Sequence, residues 1–189
     1  MFSATGEIMS HSVFASTIQS QEAKMSLKTL SSADIDDFLE WATDDEVTRY
    51  MMWDSYKSKG EAEIFFANVV EKHGWFKAIC LGEKVIGSIT LDKGKGAHSC
   101  KAELGYVLAK KYWGKGYATQ AINLALAAGF KELEVERIDA YVDPVNVGSQ
   151  RVLEKNGFTR EGLLRSHVIQ KGVVKDRYIY SILKSEIKL

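Results

Sequence analysis

The chain has 189 residues, with 25 basic and 25 acidic side chains, 46% hydrophobic residues and 11% aromatic ones. That length and apolar content suit one globular core, and a net charge of zero gives no broad field for phosphate backbones or anionic lipid. Nucleic acid and membrane are therefore excluded as partners, and any anion site has to be local.

Two cysteines, Cys80 and Cys100, are too few for a disulfide framework and lack zinc-site spacing, so both are expected to pack as small apolar thiols with no metal. No stretch approaches the ~18 apolar residues of a membrane span; the most apolar one, Ala121 to Phe130, is short and carries Asn123. Residues 1–24 are Ser-rich and contain Glu7, Glu22 and a single basic residue, Lys24. They read as a disordered tail ahead of one domain over 25–189, in the cytoplasm, with a chloroplast signal as the open alternative because such signals share this composition.

A short alternating run from Met25 to Leu30 predicts a strand, and Ile35, Phe38, Leu39 and Ala42 follow at helical spacing behind the cap residues Ser31, Ser32 and Asp34. Asp44 and Asp45 open a second helix. The cluster Tyr50, Met51, Met52, Trp53 follows, and a further helix is expected from Ser58 to about Lys72. Three strands are then predicted, Trp75 to Leu81, Lys84 to Leu91 and Cys100 to Ala109, whose short turns imply an antiparallel meander. The pattern changes to a helix from Gly114 to about Leu133, with Ala118, Ile122, Ala125, Leu126, Gly129 and Phe130 on one stripe. Ile138, Ala140 and Val142 alternate in a strand that the crossover makes parallel to its neighbour. A short helix from Val147 to Asn156 stops at Gly157, and two strands, about Phe158 to Ser166 and Val173 to Leu183, meet at Lys171-Gly172. The result is an α/β (α+β) fold, a single mixed, mostly antiparallel sheet of six to seven strands with helices on both faces.

The most informative segment runs from Glu103 through Tyr106-Val107-Leu108-Ala109-Lys110-Lys111-Tyr112-Trp113-Gly114-Lys115-Gly116-Tyr117-Ala118-Thr119: strand, turn, helix. Glycines let the backbone approach a ligand, and the free amides opening a helix face an anion with the helix dipole behind them. A diphosphate fits, and so does a simple tight turn. No Gly-x-x-x-x-Gly-Lys-Ser/Thr is present, which removes a P-loop. A dinucleotide fold has its acid candidate in Asp143, but the 46 residues after it read as a helix and a hairpin instead of further βα units.

The turn resembles the acyl-CoA-binding signature Gln/Arg-x-x-Gly-x-Gly/Ala of the GNAT acetyltransferases, with Lys111 where that pattern has Gln or Arg. A second block, Asp143-Pro144-Val145-Asn146-Val147-Gly148-Ser149-Gln150-Arg151-Val152-Leu153-Glu154-Lys155-Asn156-Gly157-Phe158, is similar to the Rim-type branch, the ribosomal-protein-alanine N-acetyltransferases. Arg160, Glu161, Gly162 and Arg165 extend the match. The resemblance covers roughly Leu27 to Leu183 and implies the GNAT fold, with acetyl-CoA as cosubstrate.

It also implies roles. Tyr106, Val107 and Leu108 lie beside the thioester between two splayed strands, with the Val107 N–H polarising the acetyl carbonyl. Lys111, Gly114, Lys115, Gly116, Tyr117, Ala118 and Thr119 enclose the diphosphate, where the two lysines fit a solvated turn equally well. Asn146 contacts the pantetheine arm and also suits the N-cap of the next helix. Ser149 is the candidate donor to the departing thiolate, against an ordinary serine bonded to local backbone; the tyrosine acid of some relatives is replaced by Leu153, which has no proton to give. Glu103 shares a strand face with Gly105 and Val107 and is the candidate base, against a surface glutamate paired with a neighbouring lysine. The acceptor groove lies between Tyr50, Met51, Trp53 and Tyr56 and the hairpin around His167 to Lys171. The acceptor is a peptide N-terminal α-amine or, alternatively, a small amine; a non-catalytic acyl-CoA sensor is a third reading. Oligomeric state is not legible.

Overall fold

The computed structural model describes residues 23–187, so the tail expected at 1–24 lies almost wholly outside the described residues. Seven strands form one sheet: β1 (Met25–Thr29), β2 (Phe76–Leu81), β3 (Lys84–Lys93), β4 (Lys101–Leu108), β5 (Arg137–Val142), β6 (Thr159–Gln170) and β7 (Val173–Leu183), in the order β1-β2-β3-β4-β5-β7-β6. Only β4 and β5 run parallel among these neighbours. The helices are α1 (Ile35–Ala42), α2 (Asp45–Thr48), α3 (Lys59–Asn68), α4 (Tyr117–Glu132) and α5 (Val147–Lys155).

Two helix starts have a side-chain cap of the expected kind: Asp44 accepts the Glu46 amide at 2.9 Å in α2 and Ser58 the Glu61 amide at 3.3 Å in α3, satisfying donors that a helix start leaves free. Ahead of α1, Asp34 accepts the Ser31 amide at 3.0 Å and so closes the 3-10 turn Ser32–Asp34 that leads into the helix. Two cores follow from the alternation of the strands. On one face Phe38, Trp41, Ala62 and Phe66 of α1 and α3 pack against Ala78, Cys80 and Val85. On the other, Ala121, Ile122, Ala125, Leu126 and Phe130 of α4 and Leu153 of α5 cover Ile89, Leu104, Leu108, Ile138 and Ala140. Burying each large side chain of the α4 stripe contributes about 1.5–3 kcal/mol, which fixes that helix and the turn before it against the sheet.

Four expectations need correction. The long helix begins at Tyr117, not Gly114, because Gly114 and Gly116 take φ of 73° and 81°, outside the right-handed helix. The third helix ends at Asn68, and Val69 at φ −117° separates it from a 3-10 turn over Val70–Lys72. β6 runs on to Gln170 through two register shifts, at Arg160/Gly162 and Leu164/Val168. Cys80 is buried as expected, but Cys100 is exposed.

Candidate active site

The parallel pair β4 and β5 is hydrogen-bonded only at Lys101↔Arg137, Ala102↔Ile138 and Glu103↔Asp139. Beyond that point both strands continue, to Leu108 and Val142, without pairing to each other. A crevice opens between them, with main-chain groups on its walls and no strand to satisfy them.

The parity of the β3–β4 ladder says which groups those are. Gly94 N–H donates to the Lys101 carbonyl at 2.9 Å, and Ala109 N–H donates to the Ile86 carbonyl at 2.9 Å. The register between these two bonds is unbroken. In an antiparallel ladder alternate residues turn both backbone groups to the same neighbour, so Lys101, Glu103, Gly105 and Val107 bond to β3 while Leu104, Tyr106 and Leu108 face β5. The expectation for Val107 is therefore corrected: its N–H points into β3, and the amides aimed at the crevice are those of Tyr106 and Leu108. The Leu108 carbonyl on that side is taken by the Trp113 indole N–H at 2.8 Å, a bond for which the sequence carries no signal.

The glycine turn closes one end of the crevice. Gly114 and Gly116 both have φ in the left-handed region, and a Cβ at either would meet nothing within 4 Å. Glycine is thus required by backbone conformation, and the space beside the turn is open. Gly116 is the N-cap of α4 and no side chain caps the helix. The first amide bonded back is Gln120, to the Gly116 carbonyl at 3.1 Å. The N–H groups of Gly114 to Thr119 have no protein acceptor among the described residues, and the start of a sixteen-residue helix stands behind them, the arrangement that holds a phosphate. Tyr117 is half-buried and meets Tyr112 edge-on at 6.1 Å. The two lysines differ: Lys111 Nζ donates to Glu40 of α1 at 2.6 Å, whereas Lys115 has no ion pair among the described residues and lies 5.9 Å over the Tyr112 ring.

Asn146 and Ser149 come from the start of α5. Asn146 Oδ1 accepts the Ser149 amide at 3.1 Å, capping the helix and leaving its amide NH₂ unclaimed among the described residues. The Ser149 hydroxyl is not bonded to helix backbone; its partner is the Tyr106 phenol, Oγ to Oη 2.7 Å. Burial pushes the phenol up to about 12, against the opposing effect of the Ser149 bond.

Glu103 faces the other side of the sheet with Asp92 of β3 and Asp139 of β5 as cross-strand neighbours. Asp139, 1% exposed, is compensated by Lys101 at 2.8 Å and by Arg137, and Arg137 also grips Glu161 through two bonds of 2.7 Å. The neighbouring lysine is thereby spent on Asp139, and Glu103 keeps no hydrogen bond or ion pair among the described residues. Its side chain retains solvent contact, yet the crowding of the sheet face, then Asp92 and Asp139, raise its carboxyl above the usual range, with Lys101 opposing.

The walls expected for the acceptor are joined. Gln170 donates to the Arg49 and Met51 carbonyls at 3.1 and 2.9 Å, and Lys171 to the Thr48 carbonyl at 3.0 Å. The Trp53 and Tyr56 rings lie 5.3 Å apart and pack against the core of α1 and α3, where Tyr56 meets Phe38 edge-on at 5.5 Å, so packing claims much of that aromatic cluster. On the hairpin side, Tyr141 of β5 stacks on His167 at 5.0 Å. No group of metal-binding side chains occurs among the described residues, and no described helix is long and apolar enough to cross a membrane.

Residues 24–159 match the family described as Acetyltransferase (GNAT) domain. The chain is 31% identical over 172 residues to an uncharacterized N-acetyltransferase, p20, of Bacillus licheniformis, covering 86% of this chain and 94% of p20. It is 32% identical over 124 residues to the spermidine N(1)-acetyltransferase of Escherichia coli, covering 62% and 63% of the two chains. The crystal structure of a GNAT-family acetyltransferase from Bacillus anthracis superposes with a TM-score of 0.78 at 27% identity, over 88% of this chain and 98% of that one. With the splayed strands, the glycine turn and these matches together, the chain belongs to the GNAT acetyltransferases, enzymes that take their acyl group from acetyl-CoA.

Proposed function

We propose that the protein transfers acetyl from acetyl-CoA to a single primary amine, the α-amine at a peptide N-terminus, by direct attack while both substrates are bound. The observation that carries the acceptor class is Glu103. It is an unpaired carboxylate on a sheet face where Asp139 and Glu161 are already neutralised by Lys101 and Arg137 and the cross-strand Asp92 is paired with His73 Nε2 at 2.7 Å. One free carboxylate matches one ammonium, whereas a polyamine would need several. The block from Asp143 to Phe158, with its Rim-type pattern, supports the same acceptor.

In this reading the amides of Gly114 to Thr119 and the Lys115 ammonium hold the diphosphate, with Lys111 added if it leaves Glu40. Leu108 and Asn146 bond the pantetheine arm, and the Tyr106 N–H donates to the acetyl carbonyl oxygen where negative charge develops. Glu103 accepts a proton from the ammonium, directly or through water, which costs little for an α-amine near pKa 8 and more for a lysine near 10.4. As the new C–N bond forms and the C–S bond breaks, the nitrogen gives up its surplus proton to the departing sulfur, which Ser149 stabilises with a hydrogen bond, so that the amide and the free thiol of CoA leave. Both cysteines are unpaired, which suits a reducing cytoplasm.

The spermidine match favours a second acceptor, a small amine. Incubation with acetyl-CoA and a mixture of free and N-blocked peptides, spermidine and amino acids separates the cases by thiol release and product mass. Acetylation of free peptide α-amines is expected. Product on spermidine or amino acids alone would overturn the peptide assignment, and tight CoA binding without release would leave a sensor.

A further inference from the structure

The Tyr106 side chain has no part in the chemistry described so far, which uses only its main-chain amide. Its ring is carried by β4 onto the face covered by α4 and α5 and packs against that core. Its hydroxyl reaches Ser149 Oγ at 2.7 Å, and the Ser149 carbonyl at 3.5 Å. A serine at a helix start can satisfy its hydroxyl on neighbouring backbone groups. Ser149 makes no such bond among the described residues, and its amide is already held by Asn146.

The phenol and the serine share one short hydrogen bond, so one of them donates. If Ser149 donates, the phenol proton inside the protein is left with only the 3.5 Å carbonyl, too long for a good bond. If Tyr106 donates, both groups are satisfied, and the serine proton is free to leave the helix. We propose that Tyr106 is a positioning residue: its phenol O–H donates to Ser149 Oγ and so directs the serine's own proton into the crevice between β4 and β5, at the sulfur. A phenol kept protonated by burial performs this duty through the neutral range. The same residue thus serves the carbonyl through its amide and the leaving group through its ring. The inference rests on the reading that Ser149 assists the departing thiolate.

The test is a double-mutant cycle on the full chain with acetyl-CoA and the best acceptor found. Tyr106→Phe keeps the ring and removes the donor. It is expected to lower kcat about tenfold, the loss of one hydrogen bond of about 1.4 kcal/mol, with KM for acetyl-CoA within about twofold. In a Ser149→Ala background the same change is expected to leave kcat unaltered, which a packing role would not produce. An equal loss in both backgrounds, or no loss in either, overturns the inference while leaving Ser149 in place. Full kcat in Ser149→Ala alone removes the parent reading and this one with it. Should Tyr106→Phe fail to fold, difluorotyrosine at 106 keeps the packing and makes the phenol more acidic. It is expected to move a loss of kcat at high pH to lower pH only when Ser149 is present; an unmoved profile contradicts the proposal.

Discussion

Gly114 offers a perturbation in which fold and function separate. At φ 73° with nothing within 4 Å of a would-be Cβ, the cost of a side chain to the free protein is the left-handed backbone alone, roughly 1–2 kcal/mol for an ordinary residue and less for asparagine, which enters that region several-fold more readily. In a domain of this size that is a fall in Tm of about 2–4 °C per kcal/mol. The bound state is expected to differ, because in the proposed reading the same open space is where the amides of Gly114 to Thr119 meet the diphosphate. Displacing one hydrogen bond to a charged oxygen costs about 1.5–3 kcal/mol, a rise of about 10- to 150-fold in the dissociation constant for acetyl-CoA. Gly114→Asn should therefore unfold within a few degrees of the wild type and bind acetyl-CoA at least tenfold more weakly by calorimetry. Gly114→Val should do both worse, since a β-branched residue is a true outlier at positive φ. A stable Gly114→Asn protein with undiminished affinity would refute the reasoning and move the diphosphate elsewhere.

Asp92→Asn removes the carboxylate that most raises Glu103 after burial itself. A base whose pKa is raised gains its active, deprotonated form only at higher pH, so the acidic limb of kcat/KM should move to lower pH in this variant, with His73, whose Nε2 lies 2.7 Å from the Asp92 carboxylate, still able to donate to the asparagine oxygen. A limb that stays put would show that Glu103 does not set it. Arg137→Ala leaves the buried Asp139 with Lys101 alone and frees Glu161, whose carboxyl the guanidinium holds down at about 2. With Lys101 still compensating the buried Asp139, losing the charge-assisted bonds of the guanidinium should destabilise the protein by about 1.5–3 kcal/mol in denaturant titration; a loss below about 0.5 kcal/mol would show that water replaces the arginine.

Much of this arrangement was legible in the residues because it depends on local rules. The stripe on α4, the cap at Asn146 and the left-handed stop at Gly157 need only periodicity and backbone sterics, and each stands where spacing puts it. The start of α4 was placed three residues early because the pattern of apolar residues does not record where φ changes sign. What escaped were features set by pairing between distant segments. That Val107 faces β3 while Tyr106 faces the crevice depends on ladder parity, which alternation of side chains cannot reveal. The Tyr106–Ser149 bond joins β4 to α5, and its one sequence hint was a tyrosine on an otherwise apolar face, whose hydroxyl needs a partner when buried. That Lys101 is occupied by Asp139, leaving Glu103 free, likewise follows from which strand lies beside β4.

The central claim is best tested by following backbone amide resonances of the ¹⁵N-labelled protein as CoA is added. Large shifts are expected at Gly114 to Thr119 and at Tyr106 and Leu108, with Val107 moving little because its N–H stays bonded in the β3 ladder. Shifts concentrated on another surface, with the glycine turn and Tyr106 unmoved, would contradict the account.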